Sequence, residues 1–99
     1  MKVLRPFHLA IPVSNLKECR TFYSEVLMMK EGRSSDNWVD FNFYGHQFVI
    51  HQLGEKSQLI KNNVDGHGVP VPHFGVVLSM DDWLALAENL KNKSIDFII

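Results

Sequence analysis

Two seven-residue strings constrain the fold of this chain more than any other feature of its sequence. HLAIPVS runs from His8 to Ser14 and HFGVVLS runs from His73 to Ser79, so each begins with histidine and ends with serine. Each string has the apolar content of a strand and leads into a segment whose apolar residues recur at helical spacing. We interpret the pair as two copies of one β–α unit rather than as part of a long repeat array.

The first copy is followed by signals for three more strands. MMKEGR predicts a short strand, NWVDFNFY alternates clearly between apolar and polar residues, and QFVIHQL predicts the strand that returns. Gly45 and His46 suit the centre of a two-residue type II′ turn between the last two strands. That turn would pair Tyr44 with Gln47 and would place Asp40 directly opposite His51.

These elements predict an α+β protein built from paired βαβββ modules, with the second module incomplete. Residues 1–53 form the first module, and residues 54–72 read as a connecting loop because Gly, Asn, Asp and Pro are concentrated there. Residues 73–99 form a partial βαβ module with the helix DDWLALAENLKNK and a last strand, IDFII. An unpaired apolar strand at this edge favours a homodimer.

Three histidines lie on the strand faces that point away from the apolar side. Side chains alternate along a strand, so His8, His51 and His73 each oppose a bulky apolar face. A curled sheet would turn these faces toward one cleft, where three imidazoles form a reasonable site for a divalent transition metal. Asp40 would hold the outer nitrogen of His51 as an outer-shell partner. For any single histidine, a hydrogen-bonded structural role is the simpler alternative.

Charge and composition exclude several functions. The formal net charge is -1 with both signs mixed along the chain, so no basic stripe indicates nucleic-acid binding. No apolar run approaches the length of a membrane span, and the first residues lack the pattern of a signal peptide. The single cysteine, Cys19, has no internal disulfide partner, which favours a cytoplasmic protein.

The strings HLAIPVSNLKECRTFYSEVL and RSSDNWVDFNFYGHQFVIH resemble the vicinal oxygen chelate superfamily, which includes glyoxalase I, extradiol dioxygenases and bleomycin-resistance proteins. The resemblance spans Arg5 to Ile99, although VLM stands where VLG is usual. It implies metal ligands at His8, His51 and His73, and a divalent ion of Fe, Mn, Ni, Zn or Co. A fourth ligand, usually Glu, would belong to a strand beyond Ile99, so the second module looks truncated.

The resemblance implies a metal-dependent enzyme, or part of one, that acts on a small oxygen-chelating substrate as an isomerase, lyase or dioxygenase. The sequence identifies no catalytic base for it. One alternative is a metal-free, small-molecule-binding protein of the bleomycin-resistance type, in which Trp38 and Tyr44 supply walls for the ligand. A third alternative is an inactive remnant, which the length of the chain favours. The resemblance alone does not choose among the three, because the same fold serves many chemistries.

Overall fold

The chain combines helices with parallel and antiparallel strands, which confirms the predicted α+β class. The computed structural model describes residues 5–54, 60–64 and 66–97. The chain divides into two compact units, Met1–Lys56 and Ser57–Ile99. None of the helices among the described residues has both the length and the apolar character needed to span a membrane.

Four strands form a mixed sheet in the first unit. They are β1 (His8–Val13), β2 (Lys30–Ser34), β3 (Trp38–Phe43) and β4 (His46–Gln52), and helix α1 (Leu16–Thr21) lies between β1 and β2. Their spatial order is β1-β4-β3-β2. β1 and β4 are parallel, whereas the other two pairs are antiparallel. The unit therefore has the predicted βαβββ order.

Helix α1 is capped at its N-terminus by a local hydrogen bond. The Oδ1 atom of Asn15 accepts a hydrogen bond from the Glu18 N–H at 3.0 Å, which satisfies one of the unpaired amides of the first turn. The helix continues as a π-helical turn over Phe22–Val26. It then ends at Met28, whose φ of 57° is the left-handed conformation that glycine adopts at low cost at helix ends. Met28 is the residue that replaces the glycine of VLG.

We expect Met28→Gly to raise the free energy of unfolding by about 0.5–1 kcal/mol. The left-handed conformation costs an L-residue about 1–2 kcal/mol, of which part is offset by the greater freedom of glycine in the unfolded chain. The Met28 side chain is 68% exposed, so its packing contributes little. Urea denaturation measures the change. Met28→Ala is the control, because it removes the side chain and keeps the strained Cβ; an equal gain in both variants would contradict the backbone explanation.

One face of the sheet carries the hydrophobic core. Phe41 and Phe48 pair across β3 and β4, and each is only 1% exposed. Tyr23, from the π-helical turn, packs edge-on against Phe48 with ring centroids 4.9 Å apart. The core cluster contains the buried residues Met29, Val39, Phe41, Phe48 and Ile50, and partly buried residues that include Leu16, Cys19, Tyr23 and Leu27 pack against it. Helix α1 covers this face of the sheet, so the polar side chains lie on the opposite face.

The turn between β3 and β4 differs from the predicted one. Tyr44 and Gly45 occupy its two central positions, with φ values of 50° and 89°, and Phe43 pairs with His46. Positive φ at both centres is the signature of a type I′ turn, not of the predicted type II′ turn centred on Gly45 and His46. The register therefore moves by two residues. Because side chains alternate with a period of two, each still projects from its predicted face.

We expect Tyr44→Asn to stabilise the hairpin by about 0.5–1 kcal/mol. Asn-Gly is a preferred pair for a type I′ turn, because asparagine tolerates positive φ better than a bulky aromatic residue does. The Tyr44 ring is 46% exposed and contacts Phe43, with centroids 5.6 Å apart. Urea denaturation of Tyr44→Asn and of Tyr44→Phe, which keeps the ring, separates the two effects. A lower stability in Tyr44→Asn would show that the ring contact outweighs the strain.

Two strands and one helix form the second unit. β5 (Ile60–Val64) pairs with β6 (His67–Val71) in antiparallel fashion, and helix α2 spans Met80–Asn92. The Oγ atom of Ser79 caps α2 by accepting a hydrogen bond from the Asp82 N–H at 3.2 Å. The hairpin lies inside residues 54–72, which the sequence analysis assigned to a connecting loop. Asparagine, glycine and proline are depleted in strands, so the composition of this segment did not predict the pairing of β5 with β6.

The strand predicted for HFGVVLS is absent, since residues 73–79 have no regular secondary structure. This string matches HLAIPVS in composition, but a strand also needs a neighbour to exchange backbone hydrogen bonds. β1 finds that neighbour in β4. Among the described residues of the second unit, no strand pairs with residues 73–79. In the predicted strand IDFII, residues 95–97 are irregular, and residues 98–99 lie outside the described part of the chain.

Candidate functional site

A row of polar side chains crosses all four strands on the sheet face opposite α1. His8 on β1 pairs with Gln47 on β4, which pairs with Asn42 on β3, which in turn pairs with Lys30 on β2. Paired residues project from the same face, and neighbouring strands are about 4.8 Å apart. The register therefore places an imidazole, two amides and an ammonium group side by side.

The imidazole of His8 is connected to Asp40 through Gln47. The Nδ1 atom of His8 lies 2.8 Å from Oε1 of Gln47, and Nε2 of Gln47 donates a hydrogen bond to Oδ2 of Asp40 at 3.3 Å. This contact engages Nδ1 of His8, which is an exposed residue, and does not involve its Nε2 atom. We refer to these three side chains as the His8 relay.

Backbone contacts hold His8 at the start of β1. The Phe7 N–H donates a hydrogen bond to Nδ1 of His46 at 2.7 Å, and the Gln47 N–H donates one to the Phe7 carbonyl at 2.8 Å. His46 was predicted to lie at the centre of the turn. It is instead the first residue of β4 and half-buried, because the turn is one position earlier than predicted. Sequence reasoning missed Gln47 for the same reason, since its strand neighbour was assigned incorrectly.

His51 lies on the same face as His8 but at the other end of the sheet. It pairs with Pro12 on β1 and with Trp38 on β3. Four residues separate it from Gln47, the partner of His8, which corresponds to roughly 13 Å along a strand. The prediction that Asp40 lies directly across from His51 is wrong, because the observed turn pairs Asp40 with Val49. Asp40 instead accepts the hydrogen bond from Gln47 within the His8 relay.

His73, in the second unit, has its ring fixed in the same sense as His8. Its Nδ1 atom lies 2.8 Å from the carbonyl oxygen of Pro70, and the ring is exposed. A carbonyl only accepts hydrogen bonds, so Nδ1 carries the proton and Nε2 of the neutral ring keeps its lone pair. Within residues 5–54, 60–64 and 66–97, no three His, Cys, Asp or Glu side chains form a group that could hold a metal ion.

A shallow cavity of about 420 Å³ lies beside the His8 relay. Asp40 and Gln47 line it, and Gly32 forms part of its floor, where an added Cβ would lie 3.5 Å from Oδ2 of Asp40. Its volume lies in the range of small-molecule sites. The predicted ligand-contacting residues Trp38 and Tyr44 do not line this cavity. Trp38 is half-buried beside His51, with the Arg33 guanidinium 5.9 Å from its ring centroid.

Cys19 and Glu31, two titratable groups on the α1 side of the sheet, have structural roles. Burial, assisted by the Glu18 carboxylate, raises the pKa of the Cys19 thiol, which therefore lacks the thiolate character of a nucleophile. Glu31 accepts two hydrogen bonds from the Arg20 guanidinium, and this contact lowers the pKa of the Glu31 carboxyl. Glu31 is thus engaged in an ion pair and is a poor candidate for a general base.

The chain matches no protein-family model and no curated protein. It does match solved structures. A glyoxalase/bleomycin resistance protein/dioxygenase from Alicyclobacillus acidocaldarius has a TM-score of 0.74 and 28% sequence identity, over 94% of this chain and 66% of that chain. An integron cassette protein from the mobile metagenome of the Halifax Harbour sewage outfall has a TM-score of 0.67 and 22% identity, over 92% of this chain and 72% of that one.

A third structure, from the mobile metagenome of V. pseudocholerae, has a TM-score of 0.62 and 20% identity, and covers 100% of this chain and 74% of its own. These likenesses, together with the βαβββ unit, show a glyoxalase/dioxygenase-like fold. The chain has the vicinal oxygen chelate fold, which confirms the resemblance drawn from its sequence. It spans slightly less than two thirds of the length of the Alicyclobacillus acidocaldarius chain.

Proposed function

We propose that this chain binds a divalent metal ion through histidine Nε2 atoms and, with it, a small ligand that has two neighbouring oxygens. The observation that supports this proposal is the state of the two repeat-related histidines. His8 and His73 each commit Nδ1 to an oxygen acceptor, at 2.8 Å in both cases, which leaves Nε2 as the donor atom for a metal. Outer-sphere acceptors of this kind are typical of metal-ligating histidines.

Neutral imidazole is a suitable ligand for Zn, Ni, Fe and Co, and a bound ion of this kind polarises the oxygens of a chelated ligand. The residues of the chain supply orientation: the His8 relay fixes one donor ring, and the neighbouring cavity offers space for the ligand. Asp40 is the carboxylate that lines this cavity from the polar face, and its Oδ2 atom already accepts from Gln47. We therefore assign binding to this face and assign no proton-transfer step to Asp40.

Titration of the untagged, metal-free protein with Zn²⁺ and Ni²⁺ by calorimetry tests the proposal. We expect both ions to bind to the wild type. His8→Ala and His73→Ala should each lower the affinity by about tenfold or more. His51→Ala is the matched control and should bind as the wild type does. An equal loss in His51→Ala would instead support the three-histidine ligand set of the sequence prediction, and absence of binding would overturn the proposal.

A metal-free binding protein of the bleomycin-resistance type is the second candidate. It is favoured by the lack of a three-ligand group among the described residues and by the cavity of about 420 Å³ beside the His8 relay. Catechol, an aromatic compound with two neighbouring oxygens, is a suitable probe. Binding of catechol measured by calorimetry, without added metal and in the presence of a chelator, would support this candidate over the first.

We also propose a homodimer, and the apolar face of α2 supports it. Trp83 and Leu84 are 56% and 52% exposed, although large apolar side chains of this kind are usually covered. Leu84→Glu should shift the protein toward the monomer in sedimentation runs over a range of concentrations, and a monomeric wild type would contradict the proposal. The free thiol of Cys19 fits a reducing compartment, so the cytoplasm remains the proposed location.

A further inference from the structure

We infer that Gln47 is a positioning residue which, oriented by Asp40, holds the neutral ring of His8 with its proton on Nδ1. This inference rests on the proposed function only for the role of the His8 Nε2 atom as a metal ligand. The arrangement of the three side chains is a property of the first unit alone. It also assigns to Asp40 a partner different from the His51 that the sequence predicted.

The direction of each hydrogen bond in the His8 relay follows from the carboxylate of Asp40. An ionised carboxylate only accepts hydrogen bonds, so the Gln47 atom 3.3 Å from Asp40 Oδ2 is the amide nitrogen. The amide oxygen of Gln47 must then be the atom that faces His8 at 2.8 Å. An amide oxygen also only accepts, so His8 Nδ1 is the donor. A neutral imidazole has one N–H, which leaves the lone pair on Nε2.

The backbone around the relay keeps these partners in register. His8 and Gln47 are paired residues of the parallel β1–β4 ladder. The Gln47 N–H bonds to the Phe7 carbonyl, and His46, the residue before Gln47, accepts from the Phe7 N–H. Two consecutive residues of β4 therefore hold two consecutive residues at the start of β1. A Cβ added at Gly32 would be in ordinary van der Waals contact with Oδ2 of Asp40, at 3.5 Å.

Nitrogen NMR of the metal-free protein, at a pH where the imidazoles are neutral, tests the inference directly. In the wild type we expect the His8 ring to show a protonated Nδ1 and an unprotonated Nε2. Gln47→Leu removes the acceptor and should shift the ring toward a mixture of both tautomers. Asp40→Asn leaves Gln47 in place but allows its amide group to rotate by 180°. This variant should therefore also give a mixture of both His8 tautomers. Gln47→Glu keeps an acceptor oxygen and should restore the wild-type tautomer.

His51, at the far end of the same face, is the internal control, and its signals should not change in any of these variants. Amide spectra check that each variant is folded. A wild-type His8 with its proton on Nε2, or a tautomer unchanged in both Gln47→Leu and Asp40→Asn, would overturn the inference. A purely structural role for Gln47 would lower stability without moving the tautomer, and so would also count against it.

The same variants separate this inference from the proposed function. Zn²⁺ affinity should fall by about tenfold in Gln47→Leu, as for other outer-sphere partners of a metal-ligating histidine. If the tautomer follows the prediction and the wild type binds no metal, the relay is correct and the metal proposal fails. If the wild type binds metal through His8 while the tautomer does not depend on Gln47, the metal proposal holds and the relay fails.

Discussion

Replacement of Phe48 by alanine is expected to lower the free energy of unfolding by about 3–5 kcal/mol. Phe48 is 1% exposed and lies at the centre of the aromatic core, with ring centroids 6.2 Å from Phe41 and 4.9 Å from Tyr23. Its removal loses the transfer free energy of the ring and leaves a cavity that α1 and the sheet cannot fully close. Total stabilities of small domains are about 5–15 kcal/mol, so this variant should be close to unfolding.

Denaturant unfolding in a Trp83→Phe background measures the effect in the first unit, because Trp38 on β3 is then the remaining tryptophan. Phe7→Ala is the matched control. The Phe7 side chain is 77% exposed, and the hydrogen bonds that anchor β1 use its backbone, so the loss should stay below about 1 kcal/mol. Similar losses in the two variants would show that the core does not lie on the α1 face of the sheet.

The faces of the first sheet could be predicted from the sequence because they depend only on alternation. NWVDFNFY and QFVIHQL alternate clearly, and an error of two residues in their pairing leaves every side chain on its face. Phe41 and Phe48 therefore lie on the apolar face that this alternation predicts. The same reasoning placed His8 and His51 together on the polar face, where the structure also has them.

Neighbours within a face could not be predicted, since they depend on the turn. Both candidate turns contain Gly45, and a type II′ turn with glycine first is the more usual choice for this sequence. In the structure Tyr44 has a positive φ instead, and Asp40 pairs with Val49 across the strands rather than with His51. The parallel pairing of β1 with β4, which brings Gln47 beside His8, is a long-range contact that no local pattern encodes.

The second unit shows the limit of comparing two strings by composition. HLAIPVS becomes β1 because β4 lies beside it, whereas no strand among the described residues of the second unit forms a ladder with HFGVVLS. The hairpin of β5 and β6 was missed for the opposite reason, because its residues are poor strand formers that nevertheless pair. The module boundaries at residues 1–53, 54–72 and 73–99 thus remain predictions from the repeat.

Gln52→Ala is expected to lower the free energy of unfolding by about 2–3 kcal/mol, although nothing in the sequence marks this residue. Its Oε1 atom accepts a hydrogen bond from the Leu16 N–H at 2.7 Å, and its Nε2 atom donates to the Ser14 carbonyl at 2.7 Å. The Leu16 N–H is one of the unpaired amides of the first turn of α1, and it is partly buried. Alanine leaves that donor without a partner and loses both bonds.

Gln47→Ala is the matched control for Gln52→Ala, because it removes the same side chain from the same strand at an exposed position. Its loss should stay below about 1 kcal/mol, since water replaces its hydrogen bonds. Gln52→Glu should lie between the two, as a carboxylate still accepts from the Leu16 N–H but cannot donate to the Ser14 carbonyl. Equal losses for Gln47→Ala and Gln52→Ala in urea denaturation would mean that α1 is held by its apolar contacts alone, without the bridge from β4.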